Sequence, residues 1–134
     1  MNPSARTGVV GMAGLVLAGT LLAGCAVLLV GAGAGAGVGT YAYVNGELKH
    51  EVHASLDRTW AATSQAVRAL ELRVVESHKD QLGGKVEARR ADGKPVKIAL
   101  ESEASDRTVV RIRIGTFGDE SGSEQIAREI DKRL

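Results

Sequence analysis

The sequence predicts an α+β fold, a two-layer sandwich in which an antiparallel meander sheet carries two helices on one face, in the order β-α-β-β-β-β-α. Three observations lead there. Apolar residues from Leu56 to Val74 fall near helical spacing, four later segments alternate with a period of two, and the chain closes on a second amphipathic stretch ending at Leu134. Ahead of this domain the sequence is almost uncharged. The expected division is an export signal over 1–24, a Gly/Ala-rich tether over 25–40 and a small domain over 41–134.

The domain opens on "YAYVNGELKHEVHAS", an extended segment interrupted at Asn45-Gly46 by a turn or bulge. A helix follows, with Ser55 as N-cap and Asp57 in its first turn. Leu56, Trp60, Thr63, Val67, Leu70 and Val74 mark its apolar face, opposite Arg58, Gln65, Arg68 and Glu71. Trp60 is the only tryptophan and the largest apolar side chain available, so a core position is expected for it.

Four strands come next, read in "LRVVES", "KVEARRA", "VKIALES" and "RTVVRIRIG", with clear faces at Val96/Ile98/Leu100 and Val110/Ile112/Ile114. Charged or small residues alternate with these, so one sheet face is buried and the other meets water. Asp92-Gly93 marks a tight hairpin, and the short links imply antiparallel neighbours. "GTFGDE" leads into a last helix capped by Ser121 or Ser123, with Ile126, Ile130 and Leu134 on one stripe. Phe117, the only phenylalanine, is expected to close the core at this handover, the alternative being an exposed contact.

Charge excludes some functions. Arg6 is the only charged side chain before Glu47, so the rest of the chain carries 16 basic and 16 acidic residues. A neutral domain lacks the field that attracts phosphate backbones, so no nucleic-acid partner is expected.

The N-terminus points to a membrane. "MNPSARTG" followed by "VVGMAGLVLAGTLLAG" is the basic n-region and apolar h-region of an export signal. The run ends at Leu22-Ala23-Gly24-Cys25, which resembles the signal box of bacterial lipoproteins. That resemblance implies diacylglycerol on the Cys25 sulfur and cleavage between Gly24 and Cys25, with acylation of the freed amino group. Ala26 then follows the lipidated residue in place of the aspartate that implies inner-membrane retention, so the expected address is the outer membrane, facing the periplasm.

The apolar run continues past the cysteine, making 36 uncharged residues from Val9 to Val44, enough to span a bilayer. Gly31, Gly35 and Gly39 lie four apart, the spacing of small residues at close helix contacts in membranes. Alternating glycine costs a helix about 1 kcal/mol per residue, which favours a flexible tether. A glycine-zipper helix is the alternative. Gly31-Ala32-Gly33 also mimics a dinucleotide loop, but no amphipathic helix and no repeated βαβ unit follow it.

Beyond the box, the Gly/Ala run, "YVNGEL", the helix with Trp60, the "ADGKPVKI" hairpin and "VVRIRIGTFGDE" together resemble a family of small bacterial lipoproteins of uncharacterised function, the domain-of-unknown-function 3568 type. The resemblance covers nearly the whole chain and brings no catalytic residues with it. It implies an envelope lipoprotein.

No catalytic constellation is legible in the domain itself. His50 and His53 flank Glu51, but three residues apart on a strand they face opposite sides, so no metal is expected and both are read, with His78, as exposed polar positions. Asp119-Glu120 and Glu101/Glu103 read as turn and solvent-face acids, and no cofactor is implied. The expected protein is a non-catalytic lipid-anchored domain that contacts the membrane through its anchor and possesses envelope proteins as candidate partners. A small-ligand or peptide-binding module and a glycine-zipper oligomer are the other two readings.

Overall fold

A computed structural model describes residues 40–134. The signal, Cys25 and the glycine run with Gly31, Gly35 and Gly39 lie outside the described residues. The elements are β1 (Tyr41–Val44), β2 (Glu47–Val52), α1 (Leu56–Ala69), β3 (Arg73–Lys79), β4 (Gly83–Arg89), β5 (Pro95–Ala104), β6 (Arg107–Ile114) and α2 (Glu120–Asp131). They form the expected α+β arrangement, with one six-stranded sheet in the order β1-β2-β6-β5-β4-β3. Every neighbouring pair is antiparallel.

The first extended segment is two strands. Asn45 (φ 53°) and Gly46 (φ 80°) both take the left-handed conformation that a two-residue hairpin turn requires, so β1 folds back on β2. The strands β3 to β6 form the expected meander. The chain reaches its far edge through α1, and β6 then pairs with β2 to bring the two parts together.

One face of the sheet is apolar because alternate residues point to it: Leu48 and Val52 from β2, Val86 and Ala88 from β4, Val96, Ile98 and Leu100 from β5, Val110, Ile112 and Ile114 from β6. Helix α2 lies against β2 and β6, and α1 against β3, β5 and β6. Helix α2 contributes Ile126, Ala127 and Ile130 to the core, while Leu134 is partly buried at its end. Burying each such aliphatic side chain contributes about 1.5–3 kcal/mol. No helix among the described residues is long and apolar enough to cross a membrane.

Helix α1 begins where the sequence places it, with the Ser55 hydroxyl accepting from the Arg58 N–H at 3.4 Å. Its buried stripe is Leu56, Thr59, Ala62, Thr63, Ala66 and Val67, which is rotated from the expected one. Small residues let the helix axis approach the sheet, and this moves Trp60 to the edge of the stripe. Trp60 is therefore partly buried rather than central. Its indole lies over Gly84 of β4, where a Cβ would come within 2.6 Å of the ring. Helix α1 ends before Val74, which sits in β3 and is 47% exposed. The stop is a Schellman turn: Glu71 adopts φ 55°, its N–H donates to the Arg68 carbonyl, and the Leu72 N–H donates to the Val67 carbonyl.

At the other helix the cap is Asp119, neither Ser121 nor Ser123. Its Oδ1 accepts from the Gly122 N–H at 2.9 Å, while Ser123 is fully buried inside the helix. Phe117 also departs from expectation: it is 93% exposed. The backbones of Gly46 and Gly118 press together so closely that a Cβ on Gly118 would meet the Gly46 Cα at 2.4 Å and the Tyr43 hydroxyl at 2.3 Å. Glycine backbone and Tyr43 fill the inner side of the loop, and Phe117 is turned outward.

The contact of Trp60 with Gly84 generates a coupling. Gly84→Ala is expected to displace the indole, red-shift its fluorescence and cost about 1–3 kcal/mol in denaturant unfolding. In a Trp60→Leu background the same substitution should cost less than half as much, because the clashing ring is gone. Equal costs in both backgrounds would place the strain elsewhere.

Candidate functional site

Three places in the described residues combine polar chemistry with a defined geometry. The first is the joint between β1, β2 and α2. His50 lies on the buried face of β2 and is fully inaccessible, so its expected exposure is corrected. Its even offset from Leu48 and Val52 is what carries it inward. Nε2 meets Oδ1 of Asp131 at 2.7 Å, and Nδ1 faces the Thr40 carbonyl at 3.4 Å. The Tyr41 ring stacks on the imidazole, with centroids 4.3 Å apart, and its hydroxyl donates to Oδ2 of Asp131. Burial first, and then the bond to Asp131, push the Tyr41 phenol well above its ordinary value.

A histidine–carboxylate pair is common in catalytic sites. Here both ring nitrogens have protein partners and the ring has no exposed surface, so neither nitrogen meets an incoming molecule. The cluster instead ties the first strand and the last helical residue to β2. His53 is exposed in the bend after β2, and His78 is exposed on β3, so neither joins His50 in the interior. Among the described residues no three His, Cys, Asp or Glu side chains gather as a metal site would require.

The second place is a cleft of about 590 Å³ at the start of α1, lined by Ser55, Asp57, Lys79, Asp80, Ser102 and Ser105 among others. Lys79 Nζ pairs with Asp57 at 2.6 Å across it. The Asp80 carboxylate accepts from the N–H groups of Leu82 and Gly83, which hold it below the usual carboxylate range. These contacts shape the β3–β4 turn.

The third is the open face of the sheet with the loop at its end. Arg107 pairs with Glu51 (3.5 Å) and Glu103 (3.3 Å), and Arg111 with Glu101 (2.8 Å). Glu101 and Glu103 are thus solvent-face acids as expected. Val109 sits between these residues in register with Glu51 and Glu101, and is only 1% exposed although it faces away from the core. Toward the β1–β2 turn cations outnumber acids, the acids there being Glu47, 3.9 Å from Arg111, and Glu87, opposite Lys97. Lys49 stands opposite Arg111, Arg111 and Lys85 both stand opposite Ala99, and Lys97 stands opposite Arg113. Like charges in register are unfavourable in a sheet. Arg113 spends its guanidinium on the carbonyls of Asn45 (3.4 Å) and Thr116 (2.8 Å), which fastens the β1–β2 turn and the Phe117 loop to β6.

Sequence reasoning singled out Asp119-Glu120, and Asp119 is the cap of α2 and also the partner of Arg90 at 2.9 Å. The Gly122 N–H and then the Arg90 guanidinium hold its carboxyl below the usual range. Sequence reasoning missed the Tyr41–His50–Asp131 cluster, since 81 residues separate the histidine from the aspartate. The inward parity of His50 with Leu48 and Val52 was the signal that it had to find a buried partner.

The described residues thus form a small α+β domain whose buried polar cluster is structural and whose surface chemistry gathers at one end of an open sheet. The chain belongs to the family described as protein of unknown function (DUF3568), whose model matches residues 10–133. No curated protein matches the chain.

The raised Tyr41 phenol carries a pH consequence. A proton donor whose folded value lies above its unfolded value contributes stability that is complete below about pH 10 and is lost as pH rises further. Absorbance titration should therefore show Tyr41 ionising only together with alkaline unfolding, and Tyr41→Phe should remove that step. Ionisation of Tyr41 near its ordinary value in the folded protein would show that the bond to Asp131 does not form.

Proposed function

We propose that the protein is a lipid-anchored cell-envelope lipoprotein whose domain is non-catalytic and acts through protein or envelope contacts. The observation that carries this reading is the Leu22-Ala23-Gly24-Cys25 box at the end of an uncharged run, 15 residues ahead of Thr40. The stretch matched by the family model, residues 10–133, includes the box. One acyl chain binds a bilayer only marginally at about 0.8 kcal/mol per buried methylene, whereas two or three on one residue hold a protein there durably. The outer membrane, facing the periplasm, is the proposed address. The engaged nitrogens of His50 support a domain without acid–base chemistry of its own.

Cys25→Ala should abolish acyl labelling and leave an uncut precursor in membrane extracts, read by intact mass. A mature protein of unchanged mass and labelling would overturn the anchor.

The glycine run is assigned to the tether because alternating glycine disfavours a helix; among the described residues the buried hydrophobic core lies between Leu48 and Ile130. A chain beginning at Thr40 should fold as a monomer in circular dichroism and sedimentation, retaining the Thr40 carbonyl that accepts from the Glu51 N–H. A truncated chain that assembles or folds only when residues 31–39 are restored would favour the glycine zipper.

A further inference from the structure

We propose that the end of the domain carrying the Phe117 loop is a second membrane contact: Phe117 and Val44 enter the interfacial zone of an anionic bilayer while Lys49, Lys85 and Lys97 meet its phosphate groups. The proposal rests on the anchored reading for the nearness of the bilayer, and on three observations for the contact itself, of which the last uses the anchor's position.

The first is exposure without looseness. Phe117 is 93% exposed and Val44 61% exposed. They belong to adjoining turns whose backbones meet at Gly46 and Gly118, where no Cβ fits, and which Arg113 fastens through the carbonyls of Asn45 and Thr116. A large apolar side chain held outward by a fixed loop loses little conformational entropy on burial. The second is charge. Lys49, Lys85 and Lys97 take part in none of the ion pairs among the described residues. Lys49 moreover stands between Arg111 and Ala42, a like-charge placement that an anionic surface would relieve, while Lys97 stands between Arg113 and Glu87. An aromatic tip flanked by cations is suited to an interface that is apolar inside and phosphate-rich outside.

The third is reach. The tip lies at the far end of β1 from Thr40, a run of five residues or about 17 Å at strand rise. The 14 residues from 26 to 39 can span at most about 50 Å, so the anchor leaves ample chain for the tip to face the bilayer. The neutral total charge of the domain hides the excess at this end, where Glu47 and Glu87 are outnumbered by cations while Glu51, Glu101 and Glu103 lie toward the other end of the same face.

The test uses the full chain in vesicles of phosphatidylglycerol and phosphatidylcholine, with Phe117→Trp as reporter and acyl labelling of Cys25 measured on the same sample. The expected result is a blue-shifted added emission, quenched by lipids brominated near the top of the acyl chain. Changing Lys49, Lys85 and Lys97 to Gln should weaken the contact about five-fold for each lysine, and pure phosphatidylcholine vesicles should weaken it as well. Labelled protein whose added indole is unquenched and emits as in water overturns the tip contact and leaves the anchor standing. Quenching without labelling supports the tip and overturns the anchor. An unquenched tip that crosslinks to a single envelope protein assigns the surface to that protein and overturns the bilayer.

Discussion

The pairing of β2 with β6 is the constraint on which the rest of the domain depends. Five residue pairs, from Leu48 with Ile112 to Val52 with Thr108, join segments about sixty residues apart and make β6 an interior strand. Without this ladder the β1–β2 hairpin would be an isolated two-stranded unit, which is marginal in water. With it, Leu48 and Val52 complete the apolar face beneath α2, and His50 is carried into the interior beside Asp131. The same register brings the Asn45-Gly46 turn onto the loop after β6. The closeness of Gly46 to Gly118 and the outward turn of Phe117 follow from that placement.

Burying His50 requires partners, because an unpaired polar group in the interior costs about 1–3 kcal/mol. Asp131 supplies one from the last residue of α2, the Thr40 carbonyl faces the other nitrogen, and Tyr41 covers the ring. The cluster therefore joins the first described strand to the end of α2. Hydrogen bonds hold acids at other boundaries: Asp119 caps α2, and Glu129, bonded first to Arg133 and then to Lys132, lies below the usual carboxylate range. Such exposed pairs contribute little individually. Their value lies in fixing turns and helix ends.

The two faces of the sheet divide the work of the molecule. The covered face holds the core and the buried cluster, while the open face carries crossed ion pairs at one end and excess cations at the other. Two devices limit unwanted pairing at the β3 edge. A bulge between Val74 and Glu76 disturbs the strand, and charged residues bracket its exposed valines. Comparable devices do not cover Phe117, whose exposure is imposed by the loop geometry.

By itself the sequence determined the α+β class, the helix starting at Ser55, the four-strand meander, the Asp92-Gly93 turn and the stripe of Ile126 and Ile130. These features are local, since periodicity and turn chemistry act over a few residues. It also defined the lipoprotein-like box that motivates the proposed anchor. Only tertiary structure decided that the first extended segment is a hairpin, that Trp60 sits at the edge of the core over Gly84, that Asp119 caps α2, and that His50 is inside while Phe117 is outside. Each depends on what another part of the chain places opposite: Asp131 for His50, Gly84 for Trp60, Gly46 for the Phe117 loop. Such contacts join residues far apart in sequence, and no local pattern of apolar and polar residues encodes which of them will meet.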